Sequence, residues 1–477
     1  MKHLFLISLI LLSSAPAVFA QSKEVQQKIH EVETHLSGWV RTQHDRDWTL
    51  AERMAYYRLR GVSIAVINDH KIEWAKGYGW ADSSEHRPVT TATLFQAASI
   101  SKSLNSVGVL RLVQDGKLDL NTDVNQYLKG WKFPYDSVSK GKKITMAELL
   151  SHTAGLTVHG FPGYDINDTI PSIQQILDGQ RPANSLRVRS MIEPGLRSIY
   201  SGGGITLSQL VVMDITGQPY DRFMYDSVLL PLGMKSSSYT QPPPKNKSPL
   251  SATAYRGNGT PLHGKYHIYP ELAAAGLWTS PTDLAHYIIA TQQALEGTTG
   301  GVLSPATTKI RLTPYIDSNT ALGVVIQQRG NDKYFSHGGA NEGFRCQYYG
   351  SFHGGKGIVV MVNSDNGAIM DEIINSVATV YKWEGFYKPV VKTEIDVPAP
   401  SRQYTGAYVL DKDTVRLLEK NGKIFVDVGF DQWQLHFTSR DDFFLYDDRS
   451  DLRFLRENDR VSGIQINHQR TYKKVDQ

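Results

Sequence analysis

Strand-like sequence in the first 385 residues of this chain gathers at two places far apart, and that separation constrains the fold more than any single motif. "GVSIAVINDHKIEWAKGYGWAD" reads as a hairpin, with Val62 to Ile67 and Ile72 to Gly77 as strands across a turn at Asn68-Asp69. Comparable runs return only in "ALGVVIQQ", "KYFSHGG", "RCQYYGSF" and "GIVVMVNS". Residues 100 to 300 between them are helical and loop-rich, punctuated at Pro162-Gly163, Pro194-Gly195 and Pro242 to Pro244. The pattern predicts an α+β fold. One antiparallel sheet is assembled from both ends of the segment and flanked by helices, with a helical lobe beside it.

Two further helices are expected from apolar spacing: one along Val25, Ile29, Val32, Leu36 and Val40, the other along Ile369, Ile373, Val377 and Tyr381. At 477 residues the chain is too long for one simple core. Residues 21–386 read as the main domain, and 387–402, with three prolines and no periodicity, as a linker. Residues 403–477 read as a small antiparallel barrel or sandwich, with a hairpin turn at Asn421-Gly422.

Residues 1–20 resemble a secretory leader. Lys2 precedes an apolar stretch from Leu4 to Leu12, and Val18-Phe19-Ala20 has the small-residue pattern of a cleavage site before Gln21. The apolar run is too short to span a bilayer comfortably, so a periplasmic or secreted protein without a stable membrane span is expected. The single cysteine, Cys346, excludes an intrachain disulfide, and its place in a strand suggests a small buried side chain. Net charge is +4 with both signs well mixed, which leaves no basic stripe for nucleic acid.

Candidate chemistry begins with Ser-x-x-Lys. A chain this long should contain roughly two such spacings by chance, and three are present: Ser99 with Lys102, Ser137 with Lys140, and Ser139 with Lys142. A nucleophilic serine needs a rigid mount, a base within reach and donors for an oxyanion. At a helix N-terminus it gains a favourable dipole, and the residue three later lies one turn along the same face. Ser99 opens "SISKSLNSVGVLRLVQDGKL", whose Leu104, Val107, Leu110 and Val113 form an apolar face ending at Gly116. Ser137 and Ser139 lie between Pro134 and Gly141 without periodicity, and that stretch reads as a solvated loop. On local grounds alone, Ser99 is either the nucleophile or a helix cap.

Five segments in order decide between these. "LFQAASISKSLNS", "LLSHTAGL", "EPGLRSIYSGGG", "AAAGLWTSPTDLAHY" and "SHGGANEGF" resemble the motifs of the serine β-lactamase and penicillin-binding protein superfamily, nearest to its class C β-lactamase-like hydrolases. The likeness runs over about residues 25 to 385. It implies a β-lactamase/transpeptidase-like fold in which Ser99 is acylated, Lys102 takes or steers its proton, and Tyr200 acts with Lys102 as general base. A tyrosine serves as a base only beside cations, because its ordinary pKa is about 10. The resemblance also implies that the backbone N–H groups of Ser99 and Ala340 form the oxyanion hole. His337 and Gly339, in the third motif, would contact substrate and His337 would hydrogen-bond near Tyr200. His152 would be structural.

Two departures bear on substrate. Gly202 stands where the family has asparagine, which removes an amide that binds the substrate's acylamino group. His337 stands where class C β-lactamases have lysine, and a histidine is mostly neutral at pH 7. The expected activity is that of a secreted serine hydrolase cleaving ester, amide or D-amino-acid peptide bonds in a small-molecule or peptide substrate, with peptidoglycan fragments among the candidates. Two alternatives stand beside it: a true β-lactamase or D-alanyl-D-alanine carboxypeptidase, and a non-catalytic penicillin-binding-like module. No cofactor is expected. His263 and His267 have a ligand-like spacing, but no carboxylate or cysteine near them in sequence completes a metal set.

Overall fold

The computed structural model describes residues 22–299, 301–427, 432–446 and 448–475. The leader expected over residues 1–20 lies outside the described residues. Antiparallel strands in the order Arg87–Pro88, Lys71–Asp82, Gly61–Asn68, Gly357–Val362, Phe344–Ser351, Asp332–Asn341, Val324–Arg329 and Thr320–Ala321 form an eight-stranded sheet. The early hairpin meets the late strands where Gly61–Asn68 pairs with Gly357–Val362, Val62 opposite Val362 and Ile67 opposite Gly357. The sheet is thus assembled from both ends of the segment.

"VSIAVI" is apolar at every position but Ser63, itself buried, because both faces of its strand are covered. Val62, Ile64 and Val66 pack with Ile29 and Val32 of the Lys23–Thr34 helix and Ile373 and Val377 of the Ile369–Val380 helix. Ala65 and Ile67 face a second core with Leu284 and Ile288 of the Pro281–Leu295 helix. The hairpin turn lies one residue later than expected, at Asp69 and His70, both with left-handed φ of 50° and 58°. That conformation matches the twist of the strands it joins, and Asp and His tolerate it better than most residues.

The first helix is shorter than its apolar spacing suggested. It ends at Thr34, Leu36 pairs instead with Trp48, and Val40–Thr42 is a strand. Leu36 and Val40 are buried all the same, so the spacing registered burial rather than helix. The loop holding the other Ser-x-x-Lys pairs is also not wholly solvated. Ser139 is buried with its hydroxyl 3.2 Å from that of Ser190, whereas Lys140 and Lys142 are exposed and pair with Glu193.

Inside the proline-rich 387–402 stretch, Val390–Lys392 pairs in parallel with Val40–Thr42. Among the described residues nine strands follow. The first, Gly406–Leu410, pairs with the last, Arg470–Val475. The two ends of the strand order, Gln432–Gln434 and His436–Phe437, are consecutive in sequence. The C-terminal unit is therefore a nearly closed antiparallel barrel around Tyr404, Tyr408, Phe437 and Phe454. Asn421 and Gly422, both with positive φ, form the expected hairpin turn. Among the described residues no helix is long and apolar enough to cross a membrane.

The helical lobe is built on two helices buried on nearly every face, Ser101–Gln114 and Gly202–Thr216. The short Leu272–Ala275 helix packs against both. Just before it, Glu271 is fully buried, and among the described residues no other residue offers either carboxyl oxygen a hydrogen bond. Burial pushes its pKa from 4.5 up to about 8. An unfolded chain releases this proton near pH 4.5, so the stability it supports is complete below that pH and drains away as pH rises to about 8. Glu271→Gln is expected to flatten the decline in urea midpoint between pH 5 and pH 8. An unchanged slope would place the carboxyl in contact with solvent.

Candidate active site

Ser99 is mounted on a sharp turn between sheet and helix. The short strand Phe95–Gln96 pairs with Trp278–Thr279. The chain then reverses through Ala98, which has a left-handed φ of 48°, into a single 3-10 turn, Ala98–Ile100, that leads directly into the Ser101–Gln114 helix. Ser99 thus stands just before the helix and is not its cap: no side chain caps that N-terminus. A positive φ at alanine is strained and persists where packing over-determines it. Here the turn lies against the strand Asp332–Asn341. A Cβ on Gly339 would fall 2.3 Å from the Ala97 carbonyl oxygen, 2.5 Å from Cys346 Sγ and 3.1 Å from Ala98 Cβ. Only glycine lets the strand and the turn approach so closely. Cys346, opposite Gly339 on the next strand, is buried as expected, and burial pushes its thiol pKa up.

One helical turn beyond Ser99, the buried Lys102 donates from Nζ to Ser99 Oγ at 2.9 Å and to the Ala274 carbonyl at 2.7 Å. Tyr200 arrives from the other side of the lobe, where its phenol donates to Ser99 Oγ at 2.8 Å. Its ring centroid is 4.9 Å from Lys102 Nζ, a cation–π contact that holds phenol and ammonium together. The three residues that the sequence singled out therefore meet on one oxygen.

Tyr200 is fixed by its neighbours in the chain. Ser201 caps the Gly202–Thr216 helix, accepting from the Gly204 N–H at 2.9 Å. His152 brackets the tyrosine: its carbonyl accepts from the Ile199 N–H at 2.7 Å, and its Nδ1 accepts from the Ser201 N–H at 3.2 Å. Its ring lies 4.3 Å from that of Tyr200. An accepting Nδ1 requires a neutral imidazole. Burial, helped by the charge of Lys102, holds the His152 pKa well below the usual range. His159, which no motif indicated, completes the bracket with Nδ1 2.5 Å from the Tyr200 carbonyl.

His337 lines the same cleft near Tyr200, their ring centroids 6.5 Å apart, without a hydrogen bond between the two. Its Nδ1 is committed to the adjacent Gly338 carbonyl at 2.6 Å, which leaves Nε2 as an acceptor. Burial, and then the charge of Lys102, lowers its pKa to about 4. Ala340 sits opposite Arg345 in the strand pair, whereas the neighbouring strand stops pairing at Ser336. The edge of residues 337–340 beside the cleft consequently has no strand partner.

The cleft encloses about 610 Å³. Beyond the motif residues it is walled by Thr320, Ala321, Val324, Val325, Gln347 and Met370, none of which the motifs pointed to. Among the described residues no Arg, Lys, Asp or Glu lines it. A Cβ on Gly202 would meet Phe161 at 2.9 Å, so the phenyl ring occupies the room that a side chain at 202 would need. His263 is exposed, with Nδ1 2.7 Å from Asp165 Oδ2. Among the described residues no three potential ligands gather to hold a metal.

Comparison with known proteins fits this geometry. The Beta-lactamase family model matches residues 47–378. Protein flp of Staphylococcus aureus (strain N315) is 28% identical over 236 residues, which make up 48% of this chain and 44% of that protein. The aligned region thus spans less than half the length of that relative. The octameric penicillin-binding protein homologue from Pyrococcus abyssi superposes with a TM-score of 0.60 at 18% identity, covering 89% of this chain and 97% of its own. The D-amino acid amidase from Ochrobactrum anthropi SV3, complexed with L-phenylalanine, superposes with a TM-score of 0.59 at 19% identity, covering 76% and 99%. These two likenesses are of fold.

Gly339→Ala is expected to push the Ala97–Ser99 turn off the strand and lower kcat by about two orders of magnitude, the scale of one lost oxyanion donor. Steady-state kinetics on any turned-over ester would test this, and an unchanged kcat would show that the turn has room to spare. A pKa near 4 for His337 also predicts no inflection near pH 6.5 in kcat/KM. An inflection there that vanishes in His337→Gln would show that the imidazole titrates normally.

Proposed function

The chain belongs to the Beta-lactamase family of serine hydrolases, and we propose that Ser99 is its nucleophile and that turnover passes through an acyl-enzyme. The observation that carries this is the convergence of Lys102 Nζ and the Tyr200 phenol on Ser99 Oγ, at 2.9 and 2.8 Å. As Oγ attacks the substrate carbonyl carbon, its proton passes to the member of that pair that is free to accept it, and from there to the leaving group. Water then attacks the ester carbonyl under the same base, and the proton returns to Oγ. The N–H groups of Ser99 and Ala340 receive the oxyanion. The unpartnered strand edge at 337–340 supports that role for Ala340.

The substrate reading rests on charge. A β-lactam or a terminal D-alanine presents a carboxylate, and a site for it is expected to hold a cation. Among the described residues the cleft lining offers none: His337, its pKa lowered to about 4, is neutral at pH 7, burial holds the His152 pKa well below the usual range, and Phe161 fills the room beside Gly202. Uncharged esters and amides fit this lining better than carboxylate-bearing antibiotics, with Val324, Val325 and Met370 supplying apolar contact for the acyl group. Cleavage of D-amino-acid amides or peptides stays within the proposal, and the fold shared with a D-amino acid amidase is in keeping with it. On the strength of residues 1–20 we place the enzyme in the periplasm or outside the cell, where peptidoglycan fragments are among the substrates to try.

A fluorophosphonate probe is expected to add one covalent mass to the purified protein and none to Ser99→Ala. Of p-nitrophenyl acetate, D-alanine p-nitroanilide and nitrocefin, the neutral ester should have a kcat/KM at least about tenfold above that of nitrocefin, the scale of one lost charge contact. Faster nitrocefin turnover would favour a β-lactamase. No turnover and no adduct would leave a non-catalytic binding module.

A further inference from the structure

Arg311 lies in the Pro305–Leu312 helix, fully buried, and none of its bonds ends on a carboxylate. Its Nε donates to Ser106 Oγ at 3.3 Å, and its Nη2 donates to the Ser103 carbonyl at 3.1 Å and to the Tyr287 hydroxyl at 2.6 Å. The Tyr287 ring adds a cation–π contact at 5.3 Å. All of these partners are neutral. A guanidinium keeps its charge at any pH a protein survives, and a cation removed from water without a counter-charge is strongly destabilising. Some other negative charge is called for.

The space for one is present. A cavity of about 20 Å³ is lined by Arg311, Thr308 and Tyr287, with Val107 and Leu232 on its apolar wall. That is room for a single water-sized particle. Nη1 of Arg311 takes part in none of the bonds above. Thr308 is 2% exposed, and its hydroxyl donates no hydrogen bond among the described residues. The Tyr287 hydroxyl is already engaged, by Arg311 and by the Tyr348 hydroxyl 3.1 Å away. The Thr291 hydroxyl on the same wall is engaged with the Tyr287 carbonyl. Arg311 Nη1 and the Thr308 hydroxyl are both able to donate, no carboxylate lines the cavity among the described residues, and Gly301 on its rim is exposed to solvent.

We propose that this cavity is a halide site, occupied by a chloride ion bound to Arg311 Nη1 and the Thr308 hydroxyl. Sulfate and phosphate are too large for it, and a cation is repelled by the guanidinium. The ion neutralises the buried charge and so strengthens the bonds by which Arg311 joins its helix to Ser103 and Ser106 on the helix that carries Lys102. The site is independent of the proposed hydrolase chemistry, and loss of that activity would not touch it.

The test is thermal unfolding of the full chain at constant ionic strength with chloride, bromide or gluconate, together with bromide soaking of crystals. Chloride and bromide should raise Tm by about 2 °C or more in a saturable way, and an anomalous bromide peak should lie beside Arg311. Arg311→Met should abolish the halide-dependent rise, and Thr308→Val should shift it to higher halide concentration. Should Arg311→Met fail to fold, Thr308→Val and the bromide soak still decide the matter. Equal melting in all three salts with no bromide peak would mean that the cavity holds water only. A halide-dependent rise unaltered in Thr308→Val, with bromide elsewhere, would equally overturn the proposal.

Discussion

The ammonium of Lys102 is buried, pairs with no carboxylate among the described residues, and has its bonds end on the Ser99 hydroxyl and the Ala274 carbonyl, with the face of Tyr200 alongside. Away from bulk water these contacts are stronger than the same contacts at a surface. They tie together three pieces of chain that have no sequence proximity: the turn at 97–100, the short helix at 272–275 and the loop before Gly202. The neutrality of both nearby histidines follows from the same charge acting together with their burial. Much of the cleft's electrostatic character thus derives from one cation placed just beneath its floor.

Gly339 sets the other constraint. The strand can pass under the Ala97 carbonyl only without a side chain there, and this contact holds Ala98 in its left-handed conformation and presents Ser99 to the cleft. Rigid backbone on both sides is what a reacting group needs, because small displacements of a nucleophile are expensive in rate.

What could be read in the sequence followed the range over which each signal acts. Ser99 and Lys102 are one helical turn apart, so local spacing placed them, and the burial of "VSIAVI" on both faces was written in an apolar run broken only by Ser63. Tyr200 was legible only through resemblance, since nothing in its immediate sequence indicates that it reaches Ser99. Leu36 and Val40 misled because helix-like spacing and burial in extended chain look alike over a few residues. The bracket that His152 and His159 form around Tyr200 and the phenyl ring of Phe161 in the room beside Gly202 are tertiary facts. No pattern within one segment specifies them.

The sheet closes only when Gly61–Asn68 meets Gly357–Val362, and this pairing has a temporal side. A ribosome must synthesise nearly three hundred residues after the first hairpin before its partner strand exists. The Ala97–Ser99 turn likewise waits for Gly339, about 240 residues further along the chain. Such distant pairing folds slowly, so the turn that carries Ser99 takes its final shape late in the folding of the chain.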